Sequence, residues 1–347
     1  MEQKKENYRL FKVDELREMC MQILEKNGVV GEDADILIDS LMDAEMKGIS
    51  SHGVNRLVWY SERLANGEIK TDAKVKVVKE AGTVAVVDGD NGLGAVVSHF
   101  AMNKAISMAE EYNIAVVGVR NSNHFGTAAY WSEMASKKGM IGISLTNGGV
   151  LMAPWGGLTR LLSANPISIS IPMGETEPIT LDVSMSKVAG GKLDIAAKKG
   201  EKIPFGWALT KEGLPTDDPV EGRRGLLLPI GDHKGYGLAL MFEVLQAILT
   251  GSNFSSQIQF PPKPGKKAGV GHYFQVLNVK AFMPEEEFVY RMTQLKEIIT
   301  SSKLAPGVER IYMPGEIEHM KHAESMEKGI MIPVNIAKQL HELAYGK

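Results

Sequence analysis

Two histidines stand in short polar segments where an imidazole can exchange a proton near neutral pH: His52 in GISSHGVNR and His124 in NSNHFGT. Arg56 follows His52 by four residues, a spacing that puts both on one face near the start of a helix. A guanidinium fork suits a carboxylate, because two parallel N–H bonds fix the plane of the anion. Together they form equipment for holding and titrating a small hydroxy acid. The same residues also fit a plainer reading: Ser51 as a helix cap, a satisfied histidine and a surface arginine. His124 follows the apolar run IAVVGV (114–119), and the pair Thr146-Asn147 stands at the end of MIGISLT (140–146). With one helix between them, these two runs are expected as sheet neighbours. Both polar clusters would then lie at the carboxyl ends of strands, where open α/β sheets bind ligands. A structural turn at His124 explains the same residues.

Two more clusters suit a phosphate-bearing ligand. LDVSMSKVAGGK leaves a strand with Asp182, Ser184, Ser186 and Lys187, and its N–H groups and hydroxyls can meet ribose or phosphate at a helix start. PIGDHKGYG (229–237) adds glycines for close approach and Lys234 as a cation. The turn DGDNGLGAVV carries Gly92 and Gly94, but Val97 occupies the third small position of a dinucleotide fingerprint and no acidic ribose partner follows the next strand. It reads as a tight turn, so the cofactor site is sought elsewhere. His319, His322 and Glu318 have part of a metal-ligand spacing without a third suitable ligand, and no metal is expected. His99, His272 and His341 read as ordinary core or surface residues. Neither GxSxG nor HExxH occurs, which disfavours hydrolases.

The elements that must position these groups follow from hydrophobic periodicity. Helices are expected over 14–27, 33–47 and 54–65, then at 97–112, 128–138, 186–199, 235–250, 285–301 and 333–344. Strands are expected at VKVVKEAG, TVAVVDGD, IAVVGV, MIGISLT, ISISIP, PITLDV and FQVLNVKAF. The stretch 252–272, rich in Pro, Gly, Ser and Lys, reads as a long loop, with Lys263, Lys266 and Lys267 solvated. The fold class is therefore α/β (α+β), a mixed, partly parallel sheet flanked by helices. Three units are expected: an N-terminal helical domain (1–73), an α/β cofactor- and substrate-binding domain (74–302), and a C-terminal segment (303–347) that packs back on the first.

Composition narrows the classes of function. In 347 residues, 39 Lys plus Arg oppose 42 Asp plus Glu, a net charge of −3 that gives no general drive toward nucleic acid or anionic membrane. The lone cysteine, Cys20, excludes an internal disulfide framework and falls on an apolar helical stripe as filler. The polar start MEQKKENYRLFK lacks an apolar signal core, and no apolar run spans a bilayer, so the cytoplasm is expected.

Taken in order, SHGVNR, RNSNHFG, APWGG, SANPISISIP, LDVSMSKVAGGK, IPFGWAL, GLPTDDP and LLPIGDHKGYGLAL resemble the malate/L-lactate dehydrogenase family of the non-Rossmann type, a family that includes sulfolactate, ureidoglycolate and diketogulonate oxidoreductases and cyclic-imine reductases. The resemblance spans about residues 45–250 and is strongest to the malate branch. It implies an NAD- or NADP-dependent enzyme, NAD favoured, that forms a homodimer and binds its cofactor without a Rossmann fold. It implies proton transfer by His52 or His124, and substrate contacts from Ser51, Arg56, Tyr60, Thr146 and Asn147. Cofactor contacts are implied for Leu181, Asp182, Val183, Ser184, Met185, Ser186, Lys187, His233, Lys234, Gly315, Glu316 and Ile317. Three positions depart from the family's usual pattern: Ser163-Ala164 replaces Gly-Thr before Asn165-Pro166, Gly148-Gly149 stands where many members carry an acidic residue, and Asp232 replaces a glycine. The expected reaction is hydride transfer at C2 of a 2-hydroxy or 2-oxo acid, malate or oxaloacetate first. A catalytically silent metabolite-binding protein and a metal-assisted hydrolase or lyase using His319 and His322 are the rival readings.

Overall fold

A computed structural model describes residues 7–259 and 266–346; residues 1–6 and Lys263 of the Pro/Gly-rich stretch lie outside it. The chain opens with β1 (Tyr8–Phe11), α1 (Val13–Lys26), α2 (Glu32–Met46) and α3 (Arg56–Ala65). In α1, Leu16, Met19, Cys20, Ile23 and Leu24 fall at helical spacing and are all buried. There follow β2 (Lys76–Ala81), β3 (Val84–Asp88), α4 (Gly94–Tyr112), β4 (Ile114–Ser122), α5 (Ala128–Ser136), β5 (Met140–Thr146), β6 (Ile167–Met173), β7 (Thr176–Val183) and α6 (Gly190–Lys199). The rest comprises β8 (Ala208–Leu209), β9 (Pro215–Thr216), α7 (Pro219–Arg224), β10 (Leu226–Leu227), α8 (His233–Glu243), β11 (Val270–Asn278), α9 (Glu285–Thr300), α10 (Glu316–Lys328), β12 (Ile330–Pro333) and α11 (Val334–Tyr345).

Among the described residues the main sheet has seven strands in the order β2-β3-β4-β11-β5-β6-β7. Only β3 and β4 pair in parallel; every other pairing in it is antiparallel. The mixed α/β class is as expected, but β4 and β5 are not neighbours. The α5 crossover leaves one strand's width between them, and β11 fills it, pairing with Val117 and Ser144 through the same residue, Phe274. Periodicity identifies a strand but says nothing about a partner more than a hundred residues away.

Element ends also moved. α4 begins at Gly94, three residues before the expected start, and α6 begins at Gly190 because residues 186–189 are engaged elsewhere. α8 runs on into a π-helical turn, Val244–Ile248. Strands β1 and β12, the short sheet β10-β8-β9 and helix α10 were not expected from the sequence. One apolar cluster joins Leu16, Ile38 and Leu57 of the first helices to Val117 and Phe274 of the sheet and Leu340 of α11. A second, holding Met185, Leu193, Ala208, Leu227 and Ala239, lies between β7, α6, the short sheet and α8.

A buried ion pair fastens the helical layer to the sheet layer. Lys47, just past α2, reaches Glu133 of α5 at 2.7 Å and Asp43 at 3.0 Å, with Lys47 and Glu133 side chains each 4% exposed. Removing one partner strands a charge in low dielectric, so Lys47→Met should lower unfolding stability by about 3–5 kcal/mol. In urea titrations, Lys47→Met with Glu133→Leu should recover much of that loss. A double variant no better than the single one would show that the pair's charge is not the source of the cost.

Candidate active site

His52 ends a single 3-10 turn, Ser50–His52, and Arg56 starts α3, so the two do not share a helix as the four-residue spacing had suggested. They still meet through the backbone: Arg56 Nε donates to Ser51 O at 2.7 Å. Ser51 Oγ lies 3.0 Å from His52 Nδ1. The His52 ring stacks on His124, with centroids 5.5 Å apart and planes inclined 17°. Two imidazoles that are separate in sequence thus form one face.

His124 is held from several sides. Tyr60 Oη is 2.8 Å from its Nδ1 and 3.1 Å from its carbonyl oxygen, and the Gly126 N–H approaches Nδ1 at 3.4 Å. With Nδ1 serving as acceptor, the ring proton is assigned to Nε2. Tyr60 is fully buried, with its hydroxyl on His124. Trp59 packs edge-on against the same ring. The GLG turn has its explanation here. A Cβ on Gly94 would lie 2.2 Å from His124 O and 2.3 Å from Asn123 O, so the start of α4 can press against the histidine loop only with glycine. Asn123 Nδ2 then donates to Gly92 O at 2.8 Å.

Thr146 and Asn147 are both buried and bonded within the fold. Thr146 Oγ1 is 2.8 Å from His272 Nδ1, Asn147 Nδ2 donates to Asn253 O, and Asn147 Oδ1 accepts the Gly271 N–H. Their contacts support the loop after β5, and neither hydrogen-bonds to the paired histidines in the contacts above. His272 reads in the sequence as an ordinary core or surface residue. It is fully buried on β11, bridging Thr146 on β5 and Ser122 on β4, where Nε2 lies 2.7 Å from Ser122 Oγ.

The expected cofactor stretches do come together. Ser186 bridges to Pro229, Lys187 N–H donates to Leu228 O at 2.7 Å, and Ile230 N–H donates to Met185 O at 2.9 Å. Thr180 N–H donates to Pro314 O at 3.0 Å, which sets the Gly315-Glu316-Ile317 turn against β7 just before Leu181. Several groups expected to meet phosphate are used internally: the Met185 and Lys187 N–H groups, and the Ser186 hydroxyl on Val188 O. Asp182 gives a carboxylate oxygen to the Ala129 N–H at 2.8 Å, capping α5, and Glu316 accepts the Met313 N–H and pairs with Arg310. Leu181, Ile317, Lys187, His233 and Lys234 remain exposed, with Val183 and Ser184 half-buried between them. Apolar surface flanked by two lysines and the first turn of α8 fits a ligand with flat rings and phosphates. A Cβ on Gly191, in the first turn of α6, would lie 3.8 Å from Ser51 Cβ, so the start of that helix passes close to the histidine turn.

The profile of the family described as malate/L-lactate dehydrogenase matches residues 11–341. The chain belongs to that family. It is 39% identical over 347 residues to the malate dehydrogenase of Pyrococcus horikoshii, covering 98% of this chain and 96% of that one. The solved structure of that enzyme superposes with a TM-score of 0.89 at 38% identity, covering 98% and 95%. L-sulfolactate dehydrogenase of Methanocaldococcus jannaschii is 40% identical over 334 residues, 96% of each chain. The sulfolactate dehydrogenase structure from that organism gives a TM-score of 0.90 at 39% identity over 96% of each chain. The (2R)-3-sulfolactate dehydrogenase (NADP(+)) of Chromohalobacter salexigens is 34% identical over 341 residues, 98% of this chain and 99% of that one.

Within this family fold, burial sets the charge of the histidines. Burial, reinforced by Arg56, lowers His52 to about 4, and burial lowers His272 to about 3. Burial, with Arg56 and His52 beside it, holds His124 well below the ordinary range. All three are neutral at pH 7. Between pH 6.5 and those folded values the unfolded chain binds more protons, so stability falls as pH falls through that window. Urea midpoints should drop from pH 7 to pH 4.5, with a shallower slope in His272→Asn; an equal slope there removes His272 from the account. Tyr60→Phe should lose both bonds to His124 and lower kcat about tenfold while the protein stays folded. Wild-type turnover in that variant would mean the tyrosine does not orient the ring.

Proposed function

We propose that this protein moves hydride between a nicotinamide dinucleotide, NAD or NADP, and C2 of a small 2-hydroxy or 2-oxo acid, with malate/oxaloacetate as the preferred pair. The observation that carries the reading is the stacking of His52 on His124 beside Arg56. The cofactor, when bound on the surface around Leu181, Lys187, Lys234 and Ile317, supplies the hydride acceptor or donor. The protein's own residues do the rest. Arg56, its Nε already fixed on Ser51 O, presents its remaining guanidinium N–H groups to the substrate carboxylate. His124, with Nδ1 satisfied by Tyr60, directs its Nε2 proton to the substrate oxygen at C2. His52 takes the hydroxyl proton in oxidation and returns it in reduction, Ser51 steadying its Nδ1. The depressed basicity of His52 keeps it unprotonated at neutral pH, so reductive turnover should rise as pH falls and oxidative turnover should do the reverse.

A second acidic group on the substrate needs a second cation. Arg160 is committed to Gly225 O and Arg223 O, and Lys234 belongs to the cofactor surface. Lys192, exposed in the first turn of α6 next to Gly191, is the cation we assign. Gly148 has open space around its Cβ position and adds no charge there, which suits a doubly charged acid. Sulfopyruvate is the second reading, favoured by the 40% identity to the Methanocaldococcus jannaschii enzyme. A homodimer is part of the proposal, supported by the apolar Leu238, Met241, Ile248 and Leu249 exposed along α8 and its π-turn. So is a cytosolic setting, which a single buried cysteine suits. No described helix is long and apolar enough to cross a membrane.

The deciding measurement is kcat/KM for oxaloacetate, pyruvate, sulfopyruvate and a cyclic imine with NADH and with NADPH. Oxaloacetate should lead, and Arg56→Lys should raise KM for every acid because the fork is lost. His52→Ala should lower kcat about 10²–10⁴-fold. Preference for sulfopyruvate or the imine would replace the malate assignment, and wild-type kcat in His52→Ala would overturn the proton-transfer role.

A further inference from the structure

Glu45 lies in the last turn of α2, 6% exposed, and the groups that hydrogen-bond to it are not cations. A buried carboxylate without a counter-charge is expensive and has to be held by donors. Its Oε2 accepts the Val54 N–H at 3.0 Å, and the Ser50 hydroxyl is a second donor. These two contacts bracket the turn that contains Ser51 and His52. The fit is tight: a Cβ on Gly53 would lie 2.0 Å from Glu45 Oε2, so the turn approaches the carboxylate this closely only because residue 53 is glycine. The turn's own bonds overlap that arc at both ends, His52 N–H donating to Ile49 O and Arg56 N–H to Gly53 O.

We propose that Glu45 is a positioning residue, whose carboxylate clasps the Ser50–Val54 turn so that His52 stays stacked on His124 and Arg56 stays bonded to Ser51. The inference rests on the proton-transfer role assigned to His52. Nothing in it requires Glu45 to touch substrate. Burial raises its pKa, and the hydrogen bonds it accepts from Ser50 and Val54 act against that rise. Gln offers the same acceptor without the charge, whereas Ala offers none.

The test compares Glu45→Gln, Glu45→Ala, Gly53→Ala and the milder Ser50→Ala. Each is followed by kcat and KM for oxaloacetate reduction, by NADH affinity, and by NMR titration of the His52 ring, assigned with His52→Asn. Arg56, His124 and Ser51 are the groups that face that ring in the structure. Glu45→Gln should keep kcat within about threefold of wild type, since a neutral acceptor replaces a charged one. Glu45→Ala and Gly53→Ala should lower kcat about tenfold or more with NADH affinity unchanged, and should move the His52 titration toward the ordinary value near 6.5 as the turn opens to water. Ser50→Ala should shift both in the same direction by less, which decides the matter even where Glu45→Ala does not fold. Unaltered His52 titration in a folded Glu45→Ala or Ser50→Ala protein would overturn the proposal, as would Glu45→Gln behaving like Glu45→Ala. If the wild type turns over no 2-oxo acid, the functional reading fails while the ring titration still judges the clasp.

Discussion

The site depends on a spacing that no direct strand pairing enforces. β4 delivers His124 and β5 delivers Thr146-Asn147, yet these parallel strands never touch; β11 runs between them in the opposite direction. The β11 ladder sets the width, and near the site His272 adds side-chain bonds across it, with one ring nitrogen at Ser122 and the other at Thr146. Only a neutral imidazole can donate from one nitrogen and accept at the other, and complete burial keeps it neutral. Phe125, the residue after His124, stacks on that ring at 4.7 Å. Strand spacing and histidine-loop position are therefore one constraint.

On this frame, side chains are arranged largely by backbone contacts. Asp182 leaves β7 to cap α5, the helix that follows the His124 loop, so the edge of the proposed cofactor surface and the histidine loop share a fastening. Lys47 and Glu133 fasten the other end of the same helix to α2, whose last turn leads to His52. α5, the helix after the His124 loop, is thus tied to β7 near its start and to α2 farther along.

Much of this was legible in the residues themselves. Apolar periodicity identified α1 to α5 and the strands β3 to β7, because each buries residues at regular spacing. It did not identify α10, nor the four-residue β1 and β12 or the two-residue strands of the short sheet, which are too short to show a period. Residue chemistry picked out His52, His124 and Arg56. It mistook the geometry of the first and third, because Gly53 breaks the helix that their spacing implied. That Tyr60, implied at the substrate, lies fully buried with its hydroxyl on His124 is visible only in the fold. His272 and Glu45 gave no signal, since a lone histidine in an apolar run and a glutamate in an amphipathic helix look ordinary until their partners are known.

The pairing of β1 with β12, Tyr8 opposite Pro333 and Phe11 opposite Ile330, has a temporal side. α1 buries its apolar face partly against α11, the last helix described. As the chain leaves a ribosome, the first helix must wait through the whole sheet for the strand and helix that seal it. Contacts of such sequence separation form late, after the loop entropy between them has been overcome. Meanwhile Leu16, Ile23 and Leu24 lack the α11 part of their cover, so α1 is among the last elements to reach its final environment.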